Sequence, residues 1–231
     1  MRAICWIVLL LALAQPVSAL EHASGLPQSV PQGSLVIGHT DPGSKVTLGE
    51  RRVQVGSDGA FAFGVGRDEH GPLRVTIVPS AGMTYAITVQ VTPRDWPVEP
   101  IIGAPPATVN PPPDVAARIE REQAQVAAAR QRDDARDDYE QSFQWPVRGR
   151  ISGRFGNQRI YVLPDGTAAP KAPHSGMDIA VPTGTPVLAP AAGLVTFVGA
   201  DLYLTGGTVV LDHGHGVSSN FLHLSRIDVR V

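Results

Sequence analysis

The chain is predicted to be mainly β: a small N-terminal β-sandwich, a proline-rich linker and one helix, then a second, antiparallel β domain. Three observations lead there. Apolar residues alternate in short runs, as in Leu35/Ile37, Val46/Leu48, Val53/Val55 and Phe61/Phe63, which is the period of a half-buried strand. Turn signals such as Asp41-Pro42-Gly43 and Ser57-Asp58-Gly59 separate these runs, at the spacing of a sandwich. The stretch 114–141 has neither glycine nor proline and is rich in Ala, Arg, Gln and Glu, which reads as helix.

The 231 residues suffice for one large or two small domains. A formal charge of −2 excludes a strongly basic nucleic-acid binder. Residues 1–19 read as a secretory signal peptide. Arg2 gives the positive start, 3–14 the apolar run, and Val17-Ser18-Ala19 the small residues before a cut after Ala19. That run is too short to span a bilayer comfortably, and no long apolar run occurs elsewhere, so no transmembrane span is expected. Export to the periplasm or cell envelope is the expected destination. The single cysteine, Cys5, lies in this signal. A mature chain without thiols excludes a zinc site built on Cys.

The elements follow in order. Residues 20–95 form the small all-β domain; His39 and His70 sit in its turns and are expected to be solvated. Residues 96–113 contain "PVEPIIGAPPATVNPPP", an extended linker. Residues 114–141 are a helical spacer with Asp114 as its N-cap and a thin apolar stripe of Val115, Ile119 and Val126. Residues 143–231 are again β, their runs broken by Gly193, Gly206-Gly207 and His213-Gly214-His215-Gly216. Ile227, Val229 and Val231 alternate with Asp228 and Arg230, a strand pattern with no terminator after it. This domain is therefore expected to be incomplete at its C-terminus.

The stretch "APHSGMDIAVPTGTPV", 172–187, places His174 four residues before Asp178. Pro173, Gly176 and Pro182 argue against a helix, so the pair is read as loop-to-strand. A His and a carboxylate suit a hydrolytic zinc site, which keeps three protein ligands and one open position. A further His that binds no metal can move protons or stabilise an oxyanion, and His223 in "FLHLS" is the candidate. Strand alternation puts Phe221 and His223 on one face. Taken alone, His-x3-Asp is weak evidence, and a solvated loop is the better reading of it.

The longer string "FQWPVRGRISGRFG…PHSGMDIAVPTGTPVLAPAAGLVTFVG…GGTVVLDHGHGVSSNFLHLS" resembles the lysostaphin/LytM-type zinc metallopeptidases over 143–231. The resemblance implies a compact antiparallel β fold, zinc as cofactor, and hydrolysis of stem or bridge peptides in bacterial cell-wall peptidoglycan. It makes His174 and Asp178 metal ligands and His223 catalytic; Phe221 stands where a Tyr is common. In that family a third ligand and a second catalytic His come from a later His-x-His block. No His follows His223 here, so the chain is expected to be a truncated member, inactive or weak. His213-Gly214-His215 precedes "FLHLS" and stands at the family's glycine-bearing hairpin turn, so His213 is read as a structural residue or one that bonds a metal ligand from outside, and His215 as a turn residue, in preference to metal ligation by either. The alternative function is a non-catalytic relative that scaffolds or activates other cell-wall hydrolases.

Overall fold

The computed structural model describes residues 25–103 and 105–231. The expected signal peptide, 1–19, lies outside the described residues. The fold is mainly β, as the alternation predicts.

Seven strands build the N-terminal region: β1 (Ser29–Pro31), β2 (Leu35–His39), β3 (Lys45–Leu48), β4 (Arg51–Val53), β5 (Ala60–Gly64), β6 (Leu73–Val78) and β7 (Tyr85–Thr92). Five form a sheet in the order β1-β7-β6-β3-β4, with β1 parallel to β7 and the other neighbours antiparallel. The antiparallel pair β2–β5 forms the second layer. Val46, Val53, Val75, Ile77, Ile87 and Val89 of the sheet meet Val36, Phe61 and Phe63 of the pair in one buried core. Each such side chain, fully buried, contributes about 1.5–3 kcal/mol. This core is closed within residues 26–91.

Strand β5 is buried on both faces, and its sequence, Ala-Phe-Ala-Phe, shows why. With a period of two, Phe61 and Phe63 enter the core while Ala60 and Ala62 face the other way, against Tyr139. Two alanines let a further layer approach closely.

The proline-rich stretch contributes structure of its own. Strand β8 (Val98–Ile102) pairs in parallel with β10 (Gln158–Val162), which pairs antiparallel with β11 (Ala168–Pro170). The order β11-β10-β8 puts β8 at the sheet edge, where Pro100 costs no ladder hydrogen bond. So the second β region is not purely antiparallel. A single turn of helix, α1 (Pro106–Val109), follows, then α2 (Pro113–Arg130).

Helix α2 departs from expectation at both ends. Pro112 occupies the cap position and Pro113 opens the helix, because proline there has its φ preset and lacks an amide hydrogen that would go unpaired anyway. Asp114 sits in the first turn instead of capping, where it favours the helix dipole. The helix stops at Arg130 rather than near 141. Beyond it, Arg132 pairs with Asp134 and Arg136 with Asp138, two residues apart, a spacing that does not share a helix face.

This segment, 131–141, is a strap between the β regions. Tyr139, 1% exposed, packs on Ala60, Ala62, Ile37 and Val217. Its ring lies 4.7 Å from that of His215, and its amide donates to the His213 carbonyl at 3.0 Å. Its hydroxyl is buried and finds no hydrogen-bond partner among the described residues. Burial pushes the phenol well above its ordinary pKa, with Glu140 and Asp58 adding to the effect. An unpaired buried hydroxyl costs about 1–3 kcal/mol. Tyr139→Phe is therefore expected to raise stability by about 1 kcal/mol in chemical denaturation; a loss of that size would mean that the hydroxyl is bonded.

The second β region continues with β9 (Arg150–Gly153) antiparallel to β12 (Asp178–Ala180). A three-stranded meander follows: β13 (Leu194–Leu202), β14 (Gly206–Asp212) and β15 (Ser218–Leu224). Residues 227–231 are not a strand, despite their alternation. Extended residues become a strand only when a neighbour pairs with their backbone, and no described strand pairs with these.

Candidate metal site

His174 and Asp178 come together, on elements the sequence anticipates. His174 lies in a loop and Asp178 opens β12. The loop is held at its backbone by the turn 154–157 that joins β9 to β10. The His174 amide donates to the Asn157 carbonyl at 2.9 Å, and the Gly156 amide donates to the His174 carbonyl at 2.8 Å. Gly156 has φ +86°, a left-handed conformation that favours glycine. Asp178 stands opposite Gly153 in the β9–β12 pair, beside a register shift. A Cβ on Gly153 would lie 2.3 Å from Asp178 Oδ2, so a side chain there would push that carboxylate out of its place.

The side chains are then oriented one by one. His174 Nδ1 lies 3.2 Å from the Arg154 carbonyl. A carbonyl only accepts, so Nδ1 carries the hydrogen. In the neutral ring this leaves the lone pair on Nε2. Nε2 lies 3.2 Å from Asp178 Oδ1. The other carboxylate oxygen, Oδ2, accepts from Arg159 Nη2 at 2.7 Å. Asp178 is 45% exposed at its side chain and His174 12%, so the pair opens to solvent on the aspartate side.

Two lone pairs facing each other at 3.2 Å repel unless a cation lies between them. A proton satisfies them, and so does a metal. Two atoms each about 2.0–2.1 Å from one tetrahedral zinc lie about 3.3 Å apart, so the spacing fits zinc. The bond from His174 to a backbone carbonyl and the bond from Asp178 to Arg159 are the outer contacts that metal ligands usually have. Arg159 carries no signal in the sequence; only the fold brings it to Asp178.

The other histidines are placed differently. Among the described residues, no three His, Cys, Asp or Glu side chains form a group able to hold a metal. His223 is exposed, with φ +59°. Val209 pairs with Phe221 and Gly207 with Leu224, so Leu222 and His223 together span Thr208 as a bulge. Such a bulge interrupts strand alternation, so the expected sharing of a face by Phe221 and His223 does not follow from the pleat.

His213 is fully buried, and both its ring nitrogens are used. Nδ1 donates to the Ala192 carbonyl at 2.6 Å, and Nε2 accepts from the Ser219 hydroxyl at 2.8 Å. Phe143 lies edge-on to the ring at 4.9 Å. The first bond ties the β14–β15 hairpin to the loop before β13, and the second closes the hairpin on itself. His215 has φ +51° and stacks on Tyr139. Beside it, Asp212 Oδ1 accepts from the Gly214 amide at 3.0 Å, and burial pushes the Asp212 carboxyl above its usual range, with Asp134 adding to the shift.

A shallow, mostly apolar cavity lies elsewhere on this region, lined by Phe143, Trp145, Pro146, Pro190 and Phe221 among others. Neither His174 nor Asp178 lines it.

Comparison with known proteins bears on the same segment. Residues 172–231 match the model of "Peptidase family M23". The peptidoglycan DD-endopeptidase ShyA of Vibrio cholerae is 36% identical over 97 residues, which is 41% of this chain and 21% of ShyA. A protein named as a metalloprotease in Haemophilus influenzae is 43% identical over 54 residues, 23% of this chain and 11% of its own. The chain thus spans about a fifth or less of the length of these relatives. The crystal structure of a peptidase M23 from Pseudomonas aeruginosa superposes with a TM-score of 0.60 and 28% identity, covering 87% of this chain and 76% of that one. Sequence and fold agree: segment 172–231 matches the model of peptidase family M23, and the chain as a whole is similar in fold to an M23 peptidase.

Proposed function

We propose that His174 and Asp178 are zinc ligands, and that the chain is an exported protein of the bacterial envelope directed at peptide bonds in peptidoglycan. The observation that carries this is the facing of His174 Nε2 and Asp178 Oδ1 at 3.2 Å, with each partner's remaining polar atom tied back. The peptidoglycan target comes from ShyA, and the signal-like start supports the destination.

When bound, zinc lowers the pKa of a water and polarises the scissile carbonyl. The chain's own residues supply the rest. The Arg154 carbonyl keeps the His174 lone pair on Nε2. Arg159 keeps Asp178 Oδ2 occupied, so that Oδ1 faces His174. His223, exposed on its bulge, takes the role of stabilising the developing oxyanion or passing a proton to the leaving amine. Residues 20–95 serve as the β domain and 143–231 as the peptidase-like domain; 96–113 link them while lending strand β8 to the second region, and 114–141 are a spacer whose helix ends at Arg130 and continues as the strap.

Zinc hydrolytic sites use three protein ligands, and the described residues group two. This chain by itself is therefore a weak zinc binder and a weak hydrolase. The same observation favours a second reading, a non-catalytic relative that scaffolds or activates other wall hydrolases. Incubation with purified sacculi decides between them. Slow zinc-dependent release of muropeptides, lost with a chelator and in Asp178→Ala, is the expected result. Sacculus binding and stimulation of a second hydrolase without release would establish the alternative. Neither binding nor release would reject both.

A further inference from the structure

We infer that the N-terminal β region is a positioning element for His174, acting through a clamp of Trp96 and Arg67 on the turn 154–157. Trp96 follows β7 and is fixed on the sandwich side. Its Nε1 donates to Gln32 Oε1 at 3.0 Å. Gln32 is 3% exposed and held at both ends of its amide: Oε1 also accepts from the Arg94 amide at 3.0 Å, and Nε2 donates to the Glu69 carbonyl at 2.9 Å. The guanidinium groups of Arg94 and Arg67 lie 4.6 and 5.2 Å from the Trp96 ring centroid. Both distances are within cation–π range.

The other edge of Trp96 grips the turn. Phe155 meets it at 5.9 Å and 78°, an edge-to-face contact. A Cβ on Gly156 would lie 2.0 Å from Trp96 Cζ3, and a Cβ on Gly33 would lie 2.6 Å from Phe155 Cε1. Arg67 Nε donates to the Gly156 carbonyl at 2.6 Å. The amide of that same Gly156 holds the His174 carbonyl, and Asn157 and Arg154 hold the His174 amide and ring. One peptide turn is therefore bonded to the sandwich on one side and to His174 on the other. Without the clamp, the turn that sets the His174 ring would rest on β9 and β10 alone.

The consequence for zinc rests on His174 being a ligand; the clamp does not. The test uses the full chain with Arg67→Ala, Trp96→Ala and Arg67→Lys, read by hydrogen exchange and by titration with zinc chloride. Arg67→Ala and Trp96→Ala should speed exchange at the Gly156 and His174 amides by about tenfold, the loss of roughly one hydrogen bond's worth of protection. Protection of β3 and β6 should stay unchanged. Zinc affinity should fall about 10–100-fold, and Arg67→Lys, which keeps one donor, should recover part of both. If Trp96→Ala unfolds the sandwich, Arg67→Ala carries the test. Unchanged exchange at Gly156 and His174 in Arg67→Ala would overturn the clamp. Faster exchange with zinc affinity unaltered, there and in His174→Ala, would leave the clamp standing and reject the ligand role.

Discussion

Replacing Phe61 with alanine is expected to destabilise the chain by about 3–5 kcal/mol. Phe61 is fully buried in β5. A Cβ on Gly38 would lie 2.5 Å from its Cζ and 2.8 Å from Leu26 Cδ2, so the ring fills space reserved by a glycine on the paired strand. The hole left by alanine cannot close. Strand β5 is held by β2 on its backbone and covered by Tyr139 on its outer face. Urea unfolding of the full chain measures the loss. Val78, 42% exposed at the end of β6, is the control, and Val78→Ala should change stability by less than about 0.5 kcal/mol. A loss below about 1 kcal/mol for Phe61→Ala would show that the two-sided burial of β5 is wrong.

Replacing His174 or Asp178 with alanine is expected to lower zinc affinity by more than the roughly 10–100-fold cost of losing an outer contact. Arg159→Ala should fall within that range, because it frees Asp178 Oδ2 to turn without removing a donor atom. His213→Ala should leave zinc affinity nearly unchanged and lower stability, because its ring bonds go to Ala192 and Ser219. The ranking is the test, read by calorimetric titration with zinc chloride. If His213→Ala lost zinc while His174→Ala kept it, the ligand assignment would have to move to the hairpin.

Much of this arrangement is legible in the sequence, for identifiable reasons. The period of two in Val46/Leu48 and Phe61/Phe63 marks strands because each buries one face regardless of its distant partner. His174 and Asp178 stand out because the longer string around them resembles a metallopeptidase motif, while Pro173, Gly176 and Pro182 mark only a loop entering a strand. The misses share a different cause. Strand β8 hides in a proline-rich run because an edge strand tolerates Pro100 only when β10 lies on its other side. The strap 131–141 reads as helix because it has helix-forming residues, yet Tyr139 gains more by packing on Ala60 and Ala62. The bulge at His223 depends on the β14–β15 register, and Arg159 reaches Asp178 only across two turns of chain. Local pattern reports what a residue does to its own backbone; these four depend on a partner far away in sequence.

The central claim is that His174 and Asp178 share one metal through Nε2 and Oδ1. Anomalous diffraction at the zinc edge, on crystals of the full chain soaked in zinc, tests it most directly. The account predicts a peak about 2.0–2.2 Å from both atoms, with Arg159 still on Asp178 Oδ2. A peak at His213 or His215, with none between His174 and Asp178, would contradict it.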